Sequence, residues 1–298
     1  MNNTIKAVSI VAALAVSSLL SAGCSSTEEQ SASVSSIQAT AADAPSADGK
    51  GFYANVNNVR FFYTVQGTGD PIILLHGGLV AADSTFAAYV PELAKTRKVI
   101  TVDLQAHGHT PDADRPMRFE SMADDIAGLI THLNLGKADV FGYSLGGGVA
   151  LQLSARHPDA VNRLILTSAP FRSDGWSAES RAGMAAMDPV AMQATPLHEM
   201  YVQTAPDPAG WTALVTKTRQ LLGENYDWTK DLAAVKARAL VINAENDAVL
   251  RPHSEELAAR ISKTALQIVP GTTHYDLMYR PDLLLPLITG FLDTPSPR

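Results

Sequence analysis

Short apolar runs recur along the chain at intervals of about one helix. Ile72-Ile73-Leu74-Leu75 is the first that is apolar without alternation. Others fall at residues 98–102, 139–141, 161–167, 240–243 and 266–269. A run of this length with no polar alternation predicts a strand buried on both faces. The intervening segments have a different period. Met122, Ile126, Ile130 and Leu133 fall three and four apart, which predicts a helix over residues 119–133 with one face inward. Helices are also expected at residues 84–93, 147–156, 254–261 and 283–291. Residues 52–65 read as two strands joined near the turn-prone pair Asn57-Asn58. Buried strands alternating with amphipathic helices imply an α/β fold, a mostly parallel eight-stranded sheet with helices on both faces. Ligands of such sheets bind beyond the carboxyl ends of the strands. His76, Asp103, Ser144 and Asp247 each follow a strand, and His274 follows the last one by a short loop.

One segment breaks the alternation. Residues 172–236 contain no convincing strand, are divided by prolines, and carry Trp176, Met184, Met187, Met192, Met200, Tyr201, Trp211, Tyr226 and Trp228. The stretch is too long for a simple loop and too apolar to stay unfolded. It reads as a helical lid inserted between two parts of one core, residues 51–171 and 237–298. Its Met and aromatic side chains either line a pocket or pack the insert onto the core.

Charge and composition add an address. The formal net charge is −7, with no basic cluster that would form a groove for nucleic acid. Gly67-Thr68-Gly69 completes no nucleotide-binding pattern and reads as a turn. Residues 1–23 have Lys6 followed by an apolar stretch too short to span a bilayer, and read as a signal peptide. Cys24 comes next and is the only cysteine in the chain. The segment resembles bacterial lipoprotein signals, with Ser21 where those usually have Leu. That resemblance implies a chain exported to the cell envelope and anchored to a membrane through a lipidated Cys24, facing the periplasm or the exterior. An ordinary leader with a nearby cysteine is the alternative. Residues 24–50 are rich in Ser and Ala and read as a flexible tether.

The chemistry centres on Gly142-Tyr143-Ser144-Leu145-Gly146. It lies between an expected strand and an expected helix. A serine at such an elbow is held clear of the sheet in a strained conformation. Glycines two before and two after it let strand and helix pass closely. A serine nucleophile needs an imidazole to take its proton and a carboxylate to orient that imidazole. His274 lies after the last strand and Asp247 after the strand before it, so the chain order is Ser, Asp, His. Glu245 competes with Asp247 for the acid. An oxyanion hole would use the backbone N–H groups of Leu145 and Gly78, with Leu79 as the alternative to Gly78. His76 opens a Gly pair after an early strand and reads as structural. His107 and His109, two apart and close to Asp103, lack a third ligand at a recognised metal spacing, so a turn under the pocket is expected and no metal.

Together these pieces resemble the α/β-hydrolase fold superfamily, in its branch with a serine nucleophile and a helical lid after the sixth strand. The resemblance rests on His76-Gly77-Gly78, residues 103–110, the Ser144 elbow, Asp247 and residues 271–274. It departs at Ala106, where Gly is usual, and at Thr110, where Ser is usual. It implies a cofactor-free hydrolase acting on a small-molecule apolar ester. Carbon–carbon bond hydrolases, lactonases and perhydrolases use the same triad and remain alternatives, as does a non-catalytic surface binding protein. Relatives with an aspartate nucleophile are excluded by Ser144.

Overall fold

The computed structural model describes residues 43–47 and 49–294. The expected signal peptide, Cys24 and most of the expected tether lie outside the described residues.

Among the described residues the sheet has nine strands, not the expected eight. They are β1 (Ala44–Pro45), β2 (Phe52–Val56), β3 (Val59–Gln66), β4 (Asp70–Leu75), β5 (Arg97–Val102), β6 (Ala138–Tyr143), β7 (Val161–Thr167), β8 (Arg238–Asn246) and β9 (Thr264–Thr273). Their spatial order is β1-β2-β3-β5-β4-β6-β7-β8-β9. The additional strand is β1, in the stretch read as tether. It pairs antiparallel with β2. Polar contacts hold the chain there: Tyr63 donates to Asp43 Oδ2 at 2.5 Å, and His132 Nε2 lies 2.6 Å from Asp43 Oδ1. A two-residue strand fixed by side chains outside it leaves no hydrophobic period in the sequence.

β2 and β3 form the expected hairpin, with Asn57 and Asn58 at φ 49° and 63°. Those angles suit the two-residue turn that matches strand twist, and Asn tolerates them. From β5 to β9 every neighbouring pair is parallel. Alternate residues of each buried strand face opposite layers. Ile73, Leu75, Ile100, Val102, Val140 and Leu164 belong to the core on one face, with Met122, Ile126 and Val149. Ile72, Leu74, Val99, Phe141 and Ile165 belong to the core on the other, with Phe86, Leu284 and Ile288.

The helices follow the same logic. The expected single helix at residues 84–93 is two short ones, α1 (Ala82–Phe86) and α2 (Val90–Leu93). Pro91 is the cause: it has no N–H to donate back to the preceding turn, so the helical ladder is interrupted and a new helix starts at Val90, with the proline in its first turn. Then come α3 (Phe119–His132) and α4 (Leu145–Arg156). The segment between β7 and β8 holds α5 (Ala178–Ala185), α6 (Pro196–Thr204) and α7 (Trp211–Gly223), with short 3-10 turns. It contributes no strand to the sheet among the described residues. Two helices complete the chain, α8 (Arg251–Arg260) and α9 (Pro281–Asp293).

Most aromatic residues of the 172–236 segment pack. Trp211 and Trp228 are buried; Trp228 meets Phe119 edge-on at 5.0 Å, and Trp211 Nε1 donates to Pro189 O at 2.8 Å. Trp176 is the exception in direction, since it faces His274.

Candidate active site

β6 ends at Tyr143 and α4 begins at Leu145, so Ser144 alone makes the turn. Its φ of 52° and ψ of −114° lie where L-residues are rare. The flanking glycines are required by space. A Cβ on Gly142 would lie 2.3 Å from Gly146 O, and one on Gly146 would lie 2.3 Å from Leu75 O. The strain is held by neighbours on both sides. Ser144 N donates to Thr167 O at 2.9 Å, and Gly146 N donates to His76 O at 3.0 Å.

The structure brings together the three side chains picked from the sequence. Ser144 Oγ lies 3.1 Å from His274 Nε2. His274 Nδ1 lies 2.8 Å from Asp247 Oδ1. With Nδ1 donating to the carboxylate, Nε2 is left as an acceptor for the serine hydroxyl. The Asp247 side chain is shut from water. Burial pushes its pKa up, but the hydrogen bond and charge of His274, with donors from Ser168 and Val249, hold it below the usual carboxylate range. Asp247 is therefore ionised at neutral pH.

The competitor acid points elsewhere. Glu245 is exposed and its Oε2 accepts from Gly271 N at 2.9 Å, which braces the turn leading to His274. Tyr143 and Trp176 frame the imidazole. Tyr143 OH donates to His274 O at 2.7 Å, and the Trp176 ring meets His274 edge-on at 5.6 Å.

The two residues expected to form an oxyanion hole lie together. Leu145 is the first residue of α4, a position whose N–H has no partner within the helix and lies at its positive end. A Cβ on Gly78 would touch Leu145 Cδ1 at 3.5 Å. Gly77 must be glycine for the loop to come this close, since a Cβ there would lie 2.8 Å from the Tyr143 ring. His76 has a bracing position: its Nδ1 is 2.7 Å from Gly77 O, and its Nε2 accepts from Leu104 N at 3.0 Å. Burial lowers its pKa, so it is a neutral ring that fixes two loops.

Asp103 and His109 pair with each other, at 3.0 Å between Oδ2 and Nδ1. His107 Nδ1 turns instead to Gln105 O at 2.9 Å. Among the described residues no cluster of His, Cys, Asp and Glu is placed to hold a metal ion. Ala106, where Gly is usual in the resemblance, has φ 66°. This explains the usual Gly, and the chain keeps the strain.

A cavity of about 220 Å³ opens beside the site, between the loop after β4 and α6 and α7. Leu79, Ala81, Met200, Tyr201, Thr204 and Leu214 line it. Ser144 and His274 do not, but Leu79 directly follows Gly78. Two residues at the site carried no signal in the sequence. Trp176 read only as part of an aromatic set. Ser168 directly follows an ordinary strand, yet its Oγ lies 2.5 Å from Asp247 Oδ2.

Known proteins can be set beside this geometry. A 2-hydroxymuconate semialdehyde hydrolase of Pseudomonas sp. (strain CF600) is 38% identical over 104 residues, which is 34% of this chain and 37% of that protein. The sn-1-specific diacylglycerol lipase ABHD11 of Mus musculus is 24% identical over 251 residues, 74% of this chain and 80% of the relative. Among solved structures, the enol-lactonase from Burkholderia xenovorans LB400 is similar in fold, with a TM-score of 0.67 and 24% identity over 81% of this chain and 100% of the other. The model of one family matches residues 72–287, from the strand before His76 to the last helix: the chain belongs to the Alpha/beta hydrolase family.

Proposed function

We propose that this protein is a serine hydrolase that cleaves a small or medium carboxylic ester through an acyl-enzyme. The observation that carries the reading is the unbroken relay from Ser144 Oγ through His274 to a buried, ionised Asp247, with the serine on a strained elbow.

The chemistry follows from the geometry. Ser144 Oγ attacks the carbonyl carbon, and His274 Nε2 takes the hydroxyl proton. The carbonyl oxygen becomes an oxyanion, met by the N–H groups of Leu145 and Gly78. As the intermediate collapses, the carbon–oxygen bond to the alcohol breaks and His274 gives its proton to the departing oxygen. The acyl group is left on Ser144. Water then attacks this ester, His274 takes a proton from it, and Ser144 recovers its own as the acid leaves. Asp247 stays ionised throughout and steadies the imidazolium. We assign the 172–236 segment the part of a lid. Its Met200, Tyr201 and Leu214 wall the cavity that adjoins Gly78, and this cavity would take an apolar arm of the substrate.

The likeness to a 2-hydroxymuconate semialdehyde hydrolase favours a second reading, cleavage of a carbon–carbon bond beside a ketone with the same triad. Parallel assays of purified protein separate the two. The ester reading expects turnover of p-nitrophenyl acetate and butyrate at kcat/KM at least tenfold above that for vinylogous 1,5-diketones. Faster cleavage of the diketones would replace it with the carbon–carbon reading.

A further inference from the structure

The end of β7 touches the candidate triad at two places. Thr167 O accepts the amide of Ser144 at 2.9 Å. The next residue, Ser168, reaches the acid, with Oγ 2.5 Å from Asp247 Oδ2. Two consecutive residues therefore hold the nucleophile's backbone and the acid's side chain.

The Asp247 carboxylate has four donors. Oδ1 accepts from His274 Nδ1 at 2.8 Å and from Val249 N at 3.0 Å. Oδ2 accepts from Ala244 N at 2.8 Å and from Ser168 Oγ. Val249 and Ala244 belong to the same strand end and loop as Asp247, so they shape the loop locally. Ser168 is the donor that ties the carboxylate to the neighbouring strand, the one that also holds Ser144.

The backbone is bent for this contact. Ser168 has φ 53°, in the left-handed region that non-glycine residues avoid. Its N–H still pairs with β8, donating to Ile242 O at 2.9 Å. The residue is buried, so the hydroxyl is shut from bulk solvent. A glycine would adopt this φ without strain. The position instead carries a hydroxyl, and that hydroxyl is spent on the acid.

We propose that Ser168 is a positioning residue for the triad. Its hydroxyl fixes the second carboxylate oxygen of Asp247, so that the first points at His274 and the imidazole stays aligned on Ser144. With Thr167, it sets the spacing between nucleophile and acid. This rests on the serine hydrolase reading above, but on no particular substrate.

The test uses a fluorophosphonate probe, which reacts with a serine only when the serine is activated. Ser168→Ala, Ser168→Gly and Ser168→Thr are compared with the native chain for labelling rate and melting temperature. Loss of one hydrogen bond to a charged group predicts labelling about 10- to 100-fold slower in the Ala and Gly variants. Ser168→Thr restores the hydroxyl and should recover part of the rate. Stability should run in another order. Gly relieves the left-handed backbone and should melt above Ala, while the β-branched Thr should melt below both. A rate order that follows the hydroxyl and not the melting temperature supports positioning. Ala or Gly variants that label at the native rate, or rates that simply track melting temperature, overturn it. Failure of the native chain to label would instead remove the serine hydrolase reading, which keeps the two failures distinct.

Discussion

At the residue scale, the assignment of the acid is the sharpest point. Two carboxylates, Glu245 and Asp247, lie two apart at the end of β8. The strand's alternation would send both to the same side, so sequence spacing does not separate them. What separates them is the shift of register between Ala244 and Asn246 and the end of the strand at Asn246. Together these turn Asp247 inward, onto Ala244 N, Val249 N and His274, and leave Glu245 exposed on the turn at Gly271. Asp247→Asn should therefore lower kcat by about 10³- to 10⁴-fold, because the amide supports the wrong imidazole tautomer. Glu245→Gln keeps an amide oxygen that can accept from Gly271 N and removes only an exposed charge, so it should cost less than about tenfold. Steady-state kinetics on p-nitrophenyl butyrate measure both, and the reverse order would reassign the acid. The candidate nucleophile was plainer in the sequence. Ser144 is announced by glycines at fixed offsets, since only glycine lets β6, α4 and β4 pass at this distance. Ser168 had no such signal. Its role depends on one left-handed φ and a partner 79 residues away.

At the scale of elements, the four methionines of the inserted segment separate by position. Met200 on α6 lines the cavity with Leu214 of α7. Met187 and Met192 pack against the main core, and Met184 packs against Trp176 and Val249. The sequence presented them as one set, because apolar composition does not distinguish a wall from a filler. Met200→Ala enlarges the cavity and should shift the preference between butyrate and octanoate esters toward the longer chain, by about 1–3 kcal/mol for each methylene the larger cavity can hold. Met187→Ala and Met192→Ala should leave the chain-length profile unchanged and lower the melting temperature. An unaltered profile in Met200→Ala would mean the cavity takes no part of the substrate. The strands were legible for the opposite reason. Ile72 to Leu75, all shut from water, face two cores at once, and burial on both faces writes itself as a continuous apolar run. The α1–α2 break was less visible, since it depends on Pro91 overriding an otherwise helical pattern.

At the scale of the whole molecule, the sheet separates holding from reacting. At the amino ends of its strands, Asp139 of β6 accepts from Arg97 of β5 and Arg163 of β7, both at 3.1 Å, and Arg97 reaches Asp293 at the end of α9. At the carboxyl ends lie His76, Asp103, Ser144, Ser168 and Asp247. Parallel strands make this division available, because each delivers its last residue to the same edge. The alternation of strands and helices made that edge readable from the sequence. The strand at the far margin, β1, was not readable, since its pairing depends on Asp43 meeting Tyr63 and His132. The proposed serine hydrolase mechanism requires a covalent bond at one residue of this edge. Rapid mixing with p-nitrophenyl butyrate, acid quench and intact mass measurement tests for that bond directly. The predicted result is one butyryl group, located by peptide mapping on Ser144, with both the adduct and turnover lost in a folded Ser144→Ala variant. Turnover by that variant at the native rate, or an adduct on another residue, would contradict it.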